Sequence, residues 1–265
     1  MKHREGTFSG LGDISIYCQS WLPDGDVRAV LLLVHGYAEH SGRYGNLVEY
    51  FVSRGFAIHA LDHRGHGKSG GERVHVDDFS EYVADVKTLF DRVRAEHEGL
   101  PIFLLGHSMG AFIAIAYVAR YQHELTGLVL SGGGAGTNRP AGSGPPPQID
   151  LAATVSKDPA VVEAYRNDPL NYHGQPPESR RNAMAALREQ LPDMVRSITL
   201  PAIIMAGSAS PLGDGPGSET LFGLVSSQDK TLKLYEGLMH EIFNEPERDQ
   251  VFADLHDWLL AHKEA

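Results

Sequence analysis

The segment that most constrains the fold runs over residues 101–118. A short apolar stretch is followed by G-H-S-M-G at 106–110 and then by an alanine-rich apolar stretch. This order predicts a buried strand, a sharp turn and a helix packed on a sheet. The pattern G-x-S-x-G in that context is typical of a nucleophile elbow, whose strained turn exposes the serine hydroxyl. We therefore predict Ser108 as a nucleophile, the alternative being a structural turn serine.

The same pattern occurs a second time, as G-K-S-G-G at residues 67–71. It follows a polar, glycine-rich turn and leads into no helical pattern, so its context does not support a nucleophile. It also lacks the first glycine of a phosphate-binding loop, because Asp62 stands there. The neighbouring histidines, His63 and His66, lie in a glycine-rich turn without further ligand spacing, and no metal site is predicted.

Short apolar runs alternate with helical patterns through most of the chain, which predicts an α/β fold with a mostly parallel sheet covered by helices on both faces. Residues 7–22 instead alternate apolar and polar side chains, which predicts an antiparallel hairpin at one edge. The predicted strands lie at 29–34, 56–61, before Ser108, 127–130, 202–205 and 231–234, and the predicted helices at about 43–54, 78–97, 109–122, 217–226 and 246–262.

A long segment interrupts this alternation. The glycine- and proline-rich stretch 132–147 cannot continue a helix or a central strand, and strand character returns only at Pro201. A long insertion in a compact domain is usually a lid or a binding element. We predict a core of residues 1–134 and 199–265 with a helical cap at 135–198; the alternative is a flexible surface insertion.

Composition excludes several classes of function. The net charge of −11 disfavours nucleic acid binding and leaves no basic patch for anionic lipid. Cys18 is the only cysteine, so no intrachain disulfide forms. No apolar signal segment or membrane-length apolar stretch is present. We expect a cytoplasmic protein without a cofactor.

A serine nucleophile needs a base and donors for the oxyanion. His240 follows the last predicted strand and precedes a helix, where a loop would bring an imidazole to the carboxyl edge of the sheet. We predict His240 as the base, with a structural histidine as the alternative. The predicted oxyanion donors are the backbone N–H groups of Met109 and of Tyr37, which follows an early strand; Tyr37 otherwise lies in an ordinary strand-end turn.

Four segments together closely resemble monoacylglycerol lipases of the α/β-hydrolase superfamily, in the group labelled serine aminopeptidase-like hydrolases. They are V-H-G-Y-A-E-H-S-G-R-Y at 34–44, D-H-R-G-H-G-K-S at 62–69, G-H-S-M-G at 106–110 and L-Y-E-G-L-M-H at 234–240. The first is the most specific, and the likeness covers nearly the whole chain. It implies an α/β-hydrolase fold with a cap over the site and release of a fatty acid and glycerol through an acyl-serine.

The resemblance also implies where a lipid ester would bind. The acyl chain would occupy an apolar tunnel, and the glycerol-like head a small polar pocket that Glu39 and Arg43 help to build. A solvated ion pair at a helix start is the alternative for these two residues. We also assign His107, beside the nucleophile, to substrate binding, and expect at most transient contact of the cap with membranes or micelles.

The sequence departs from the family at the triad acid. The family pattern G-x-x-D would place aspartate at position 210, where this chain has Ser210. Three hypotheses remain: Asp214, in a loop made pliable by glycines, reaches His240; a natural or engineered aspartate-to-serine change has impaired the triad; or another acid, such as Glu241, replaces it.

The alternative functions follow from the same departure and from the breadth of the family. One group comprises a short-chain esterase, a lysophospholipase and an aminopeptidase. The other is a catalytically impaired hydrolase fold that only binds lipid. The sequence leaves the acyl-chain preference and the oligomeric state open.

Overall fold

A computed structural model describes residues 1–134 and 150–263, which form one sheet in the order β1-β2-β4-β3-β5-β6-β7-β8. β2 is antiparallel to β1 and β4, and the remaining neighbours are parallel. The predicted edge hairpin is confirmed, although it begins at Lys2. The strands are β1 Lys2–Ser9, β2 Ser15–Leu22, β3 Ala29–Val34, β4 Phe56–Leu61, β5 Ile102–His107, β6 Gly127–Ser131, β7 Ala202–Gly207 and β8 Lys230–Tyr235.

The described part of the chain has a helix at each of the five positions predicted outside the cap, within a few residues at each end, and further helices in the predicted cap. They are α1 Gly45–Val52, α2 Phe79–Glu96, α3 Met109–Tyr121, α4 Ala152–Val155, α5 Pro159–Asn167, α6 Glu178–Arg196, α7 Asp214–Leu224 and α8 Arg248–His262. The predicted α/β class is therefore confirmed. No helix within residues 1–134 and 150–263 is both long enough and apolar enough to span a bilayer.

The apolar runs are continuous because helices cover both faces of the sheet. In β3, Val30, Leu32 and Val34 pack on the side of α2 and α3, whereas Leu31 and Leu33 pack on the side of α1 and α8. Successive side chains of a strand point to opposite faces, so a strand buried on both sides has no position for polar residues. This packing fixes the carboxyl ends of β3, β5, β6 and β7 along one edge.

The described part of the predicted cap packs in two ways. Helices α4 and α5 form a small apolar cluster of their own around Ala152, Val155 and Tyr165. Helix α6 instead buries an apolar stripe in the same core as α3. The C-terminal part of the predicted insertion is thus integrated with the sheet's own core. The boundary at residues 135–198 stays a prediction, and residues 135–149 lie outside the described part.

Candidate active site

Ser108 lies at the junction of β5 and α3 with φ 55° and ψ −117°. A positive φ is unfavourable for a residue with a Cβ, so the surrounding packing must enforce it. The Ser108 amide donates to the carbonyl of Ser131, 2.8 Å away, which ties the turn to the end of β6. The strand, the turn and the helix have the geometry predicted for a nucleophile elbow.

The two glycines that flank Ser108 are required by backbone contacts. A Cβ at Gly106 would lie 2.4 Å from the carbonyl oxygen of Gly110, and one at Gly110 would lie 2.0 Å from the carbonyl oxygen of Val34. Both distances are far below van der Waals contact. Because neither position has room for a methyl group, the glycines let α3 begin directly against β5 and β3.

His240 lies in the loop after β8 and contacts the start of α7. Its Nδ1 is 2.6 Å from Oδ2 of Asp214, and both side chains are buried. When that carboxylate is ionised it can only accept, so Nδ1 carries the proton and the Nε2 of a neutral ring keeps a free lone pair. This is the tautomer that a general base needs.

The environment of His240 shifts its proton affinity. Burial by itself would lower the pKa of His240, but the charge of Asp214 and the hydrogen bond to it outweigh that effect and raise the pKa above its ordinary value. A raised pKa makes the imidazole a better proton acceptor while leaving it available near neutral pH. The pair therefore has the electrostatics of a base held by a buried acid.

Asp214 reaches His240 by a different route from the one predicted. It does not lie in a pliable loop; it is the first residue of α7, and Gly213 precedes it with φ 80°. Gly217 is needed for packing, because a Cβ there would lie 1.9 Å from the carbonyl oxygen of Gly134. The helix start fixes the carboxylate and its dipole favours the negative charge.

Ser210, at the family's acid position, and Glu241, the alternative acid, have other partners. Ser210 is buried, and its Oγ accepts a 3.4 Å hydrogen bond from the amide of Leu212. The carboxylate of Glu241 receives two hydrogen bonds from Arg43. Among the hypotheses for the acid, the contact with His240 is made by Asp214.

His107 precedes Ser108 in the chain, and its ring lies beside that of His240. Its ring centroid is 4.7 Å from that of His240, and its Nδ1 is 3.1 Å from Oγ of Ser131. A Cβ at Gly36 would lie 3.1 Å from Cβ of Ser108 and 3.4 Å from Cδ2 of His107. Burial lowers the pKa of His107 to about 3, helped by the nearby His240, so the ring is neutral. The structure thus brings these predicted residues together at one edge of the sheet.

The predicted oxyanion donors lie on two adjoining turns. Met109 begins α3, so its N–H is one of the first-turn donors that have no partner within the helix. Tyr37 lies in the turn after β3, where Ala38 has φ 62° and the amide of Gly36 donates to Oε1 of Glu39 over 2.6 Å. Glu39 therefore holds the turn that carries Tyr37. The donor roles of the two amides stay predictions.

Glu39 and Arg43 do not form a solvated pair; that alternative is wrong. Their side chains are 4% and 9% exposed, because Tyr165 of α5 and the His240 loop lie against Arg43. Arg43 donates to Glu39 over 2.9 Å and to Glu241 over 2.8 Å, and it lies over the ring of Tyr165. One guanidinium thus bridges two buried carboxylates. Its charge and hydrogen bonds offset the cost of removing the carboxylates from water.

The two carboxylates of this network differ in proton affinity. Burial raises the pKa of Glu39, and the charge of Arg43 only partly opposes it. Burial would also raise the pKa of Glu241, but the charge and hydrogen bonds of Arg43 bring it below its ordinary value. Glu241 is therefore the principal anion facing Arg43, and Glu39 the more easily protonated partner.

A small cavity opens beside this network. The space open to the centre of a water molecule is about 10 Å³, and the lining residues are Glu39, Tyr44, His107, Glu241, Phe243 and Asn244. That volume suits a single water-sized group. Because carboxylate and amide oxygens line it, the cavity favours a hydroxyl that donates a hydrogen bond.

Comparison with known proteins identifies the family. A family model described as serine aminopeptidase, S33, matches residues 25–247. The chain belongs to this S33 family. It is similar to a monoacylglycerol lipase of Mycolicibacterium smegmatis, with 41% identity covering 97% of each chain. It is also similar to human monoglyceride lipase, with 34% identity covering 92% of this chain and 86% of the relative. The predicted resemblance is confirmed.

A solved structure shares the fold. A thermostable carboxyl esterase from Bacillus coagulans, solved with glycerol, superposes with a TM-score of 0.84 and 24% identity over 99% of both chains. At this identity the likeness establishes the fold alone. The predicted α/β-hydrolase fold of this S33 family member is confirmed.

Within this S33 family member, the D-H-R-G-H-G segment at 62–67 contacts the residues on either side of the turn that carries Tyr37. The amide of His63 donates to Nε2 of His35, and the carboxylate of Asp62 accepts from both the amide and the hydroxyl of Ser41. Burial lowers the pKa of His35 and of His63 well below the ordinary value, so both rings are neutral. These hydrogen bonds stabilise the turn after β3 that carries Tyr37.

The loop of His240 is held by contacts that no pattern in the sequence indicates. The amide of His240 donates to the carbonyl of Thr154 over 3.2 Å, and that of Glu241 to Val155 over 2.7 Å. The buried Glu245 accepts from the amide of Met239 over 2.6 Å. In this S33 family member α4 of the predicted cap therefore holds the base. No spacing in the sequence links residues so far apart.

Proposed function

We propose that the chain is a serine carboxylester hydrolase that cleaves monoacylglycerols into a fatty acid and glycerol. The observation that carries the proposal is the 2.6 Å hydrogen bond between Asp214 and His240 at the sheet edge where Ser108 takes its strained backbone conformation with positive φ. A buried acid, an imidazole and a serine hydroxyl are the groups that acyl transfer through serine requires. Asp214 takes the role of the acid in place of Ser210.

In the acylation step, Oγ of Ser108 attacks the ester carbonyl carbon while Nε2 of His240 takes the hydroxyl proton. The negative charge moves to the carbonyl oxygen, where the N–H groups of Met109 and Tyr37 receive it. Collapse of this intermediate breaks the bond between the carbonyl carbon and the glycerol oxygen, and that oxygen takes the proton that His240 received from Ser108. An acyl-Ser108 ester and free glycerol result.

Deacylation repeats the same proton transfers with water. His240 takes a proton from a water molecule, the resulting hydroxide attacks the acyl carbonyl, and the fatty acid leaves as Ser108 recovers its proton. The ionised Asp214 stabilises the imidazolium that forms in both steps without itself becoming protonated. The reaction needs no external cofactor because only protons and an acyl group are exchanged.

Two observations support a monoacylglycerol as substrate. The relatives of 41% and 34% identity carry the names monoacylglycerol lipase and monoglyceride lipase. The cavity lined by Glu39, Glu241 and Asn244 lies against His107, the neighbour of the nucleophile, and offers oxygen acceptors to a hydroxyl of the leaving alcohol. Glu39 and Arg43 form the polar end of this substrate site.

The test is a substrate panel with matched variants. Steady-state rates are measured on a 2-monoacylglycerol, on p-nitrophenyl esters of increasing chain length and on aminoacyl peptides. Ser108→Ala is expected to lose turnover while its circular dichroism spectrum stays native. Ser53→Ala, which changes an exposed serine bonded to the carbonyl of Tyr50, is expected to match the wild type.

Other results would redirect the proposal. Preference for aminoacyl peptides would favour an aminopeptidase, in keeping with the description of the family. Preference for the shortest p-nitrophenyl esters would favour a short-chain esterase. Lipid binding without turnover in the wild type would favour the impaired, lipid-binding hydrolase fold.

A further inference from the structure

Helix α6 carries a charged side chain on its buried face. Its apolar stripe comprises Ala183, Met184, Leu187, Leu191 and Val195. Arg180 lies three and four residues before the first two of these, so it continues the same face of the helix. A guanidinium thus takes the position where the stripe would otherwise place an apolar side chain, at the end of α6 nearest the oxyanion turn.

The guanidinium of Arg180 contacts both predicted oxyanion residues. Its central carbon lies 3.7 Å from the centroid of the Tyr37 ring, and its Nη2 lies 3.6 Å from Sδ of Met109. Tyr37 follows β3 and Met109 follows β5, so the two belong to different turns. Arg180 therefore joins these turns from a third element of the chain.

Within residues 1–134 and 150–263, no carboxylate is paired with Arg180. Its Nε is buried and has no hydrogen-bond partner in the described part of the chain. The side chains that act electrostatically on it there are Tyr37, Tyr82 and Arg188, none of them a carboxylate. Burial lowers the pKa of Arg180, but a guanidinium keeps its charge at neutral pH. Leaving such a cation unpaired is costly, which argues for a role beyond packing.

We propose that Arg180 is a positioning residue for the oxyanion hole: its contacts with the Tyr37 ring and with Sδ of Met109 hold the two turns in place, and its positive charge lies against both residues. The inference rests on the proposed function, because it assumes that the amides of Tyr37 and Met109 receive the oxyanion. Small displacements of preorganised hydrogen-bond donors lower the reaction rate strongly. A cation that is shielded from water stabilises the negative charge that develops in the transition state. The predicted cap thereby supplies part of the catalytic preorganisation.

The test compares neutral and charged replacements on α6. Arg180→Met keeps an unbranched apolar stem but removes the charge and the guanidinium contacts, and we expect kcat to fall about 10- to 100-fold with KM within about twofold of the wild type. Arg180→Lys keeps the charge without the planar stacking and is expected to recover part of kcat. Arg181→Met, which changes an exposed neighbour bonded to the carbonyl of Pro176, is expected to match the wild type.

A second readout separates positioning from folding. The rate constant for labelling of Ser108 by a fluorophosphonate depends on the oxyanion donors and is expected to fall with kcat in Arg180→Met. The pH at which activity is half lost on the acid side is expected to stay constant, because the contact between Asp214 and His240 is not altered. Should Arg180→Met fail to fold, Arg180→Gln provides the same neutral test.

Several results would overturn the inference. They are an unchanged kcat in the folded neutral variants, a loss confined to KM, and an equal loss in Arg181→Met. These results are distinguishable from failure of the proposed function, in which the wild type and Ser108→Ala would hydrolyse the monoacylglycerol at the same rate.

Discussion

Oδ2 of Asp214 lies 2.6 Å from Nδ1 of His240, although Ser210 occupies the position that the family pattern gives to the acid. The carboxylate comes from the first residue of α7, so its direction is fixed by a helix start and its charge is favoured there. The departure at Ser210 therefore does not leave the imidazole without an acidic partner.

The first prediction concerns this carboxylate. Asp214→Asn should lower kcat by about four orders of magnitude, because an amide holds the imidazole in the wrong tautomer and does not stabilise the imidazolium. Steady-state hydrolysis of a monoacylglycerol measures the loss. Asp249→Asn, which alters an exposed acid in the first turn of α8, is the control and should leave kcat unchanged.

A substitution at Ser210 could contradict that prediction. The hydroxyl of Ser210 accepts from the amide of Leu212, and Asp214 already contacts the imidazole. Ser210→Asp should therefore neither raise the activity of the wild type nor restore Asp214→Asn. Full recovery of turnover by Ser210→Asp would show that the triad of this chain is impaired at position 210.

The pH dependence of activity forms the second prediction. The pKa of His240 is raised by the charge and hydrogen bond of Asp214, which outweigh burial, so kcat/KM should fall on the acid side around a pH above about 6.5. Protonated His240 cannot take the proton of Ser108. Asp214→Asn should shift this limb to lower pH, and an unshifted limb in a folded variant would contradict the assignment.

The same shift has the opposite sign for stability. A raised pKa in the folded state means that the folded protein binds the proton of His240 more tightly than the unfolded chain. The resulting contribution to the free energy of unfolding is complete below about pH 6.5 and is lost as the pH rises through the raised pKa of His240. Urea unfolding of the wild type and Asp214→Asn across this range measures the difference.

The third prediction concerns the elbow glycines. Gly110→Ala would place a methyl group 2.0 Å from the carbonyl oxygen of Val34, and we expect a loss of unfolding free energy of about 1–3 kcal/mol together with loss of activity. Gly223→Ala is the control, because a Cβ there meets no heavy atom within 4 Å and α7 should gain up to about 1 kcal/mol. Equal stability of the two variants would contradict the tight approach of α3 to β3.

The fourth prediction concerns the buried charge network. Arg43→Met would leave Glu39 and Glu241 buried without their cation, and we expect a loss of about 3–5 kcal/mol in unfolding free energy near pH 8. The loss should shrink toward pH 5, because protonation of the carboxylates removes their charge. The control is Arg196→Met, which removes a surface pair with Asp193. A loss in Arg43→Met as small as that of the control would show that the network is dispensable.

Local patterns were sufficient to predict most of the fold and part of the candidate site. Strands such as β3 and β5 are apolar throughout because both faces are buried, and this makes them visible as runs in the sequence. Ser108 was identified because a nucleophile elbow needs glycines at fixed offsets, and His240 because it follows the last strand. Each of these sequence signals spans only a few consecutive residues, so it can be recognised without knowing the fold.

The remaining features depend on contacts between distant segments. The glycines around Asp214 suggested a pliable loop. Gly217 instead lies in α7, where only glycine fits because the backbone of Gly134 packs against it. Whether Glu39 is solvated or buried depends on how the His240 loop and α5 cover it. The contacts of Arg180 on the buried face of α6 likewise depend on tertiary packing. The hydrophobic pattern of α6 alone does not reveal them.

The most direct test of the account is to locate the covalent adduct of a fluorophosphonate by mass spectrometry of the protease-digested protein. The chain contains an internal control, because Ser69 lies in a second G-x-S-x-G pattern and donates its hydroxyl proton to the carbonyl of Asp62. We predict a stoichiometric adduct on Ser108 and none on Ser69, with labelling lost in Ser108→Ala. Labelling of another residue, or an unlabelled and still active Ser108, would contradict the assignment of the nucleophile.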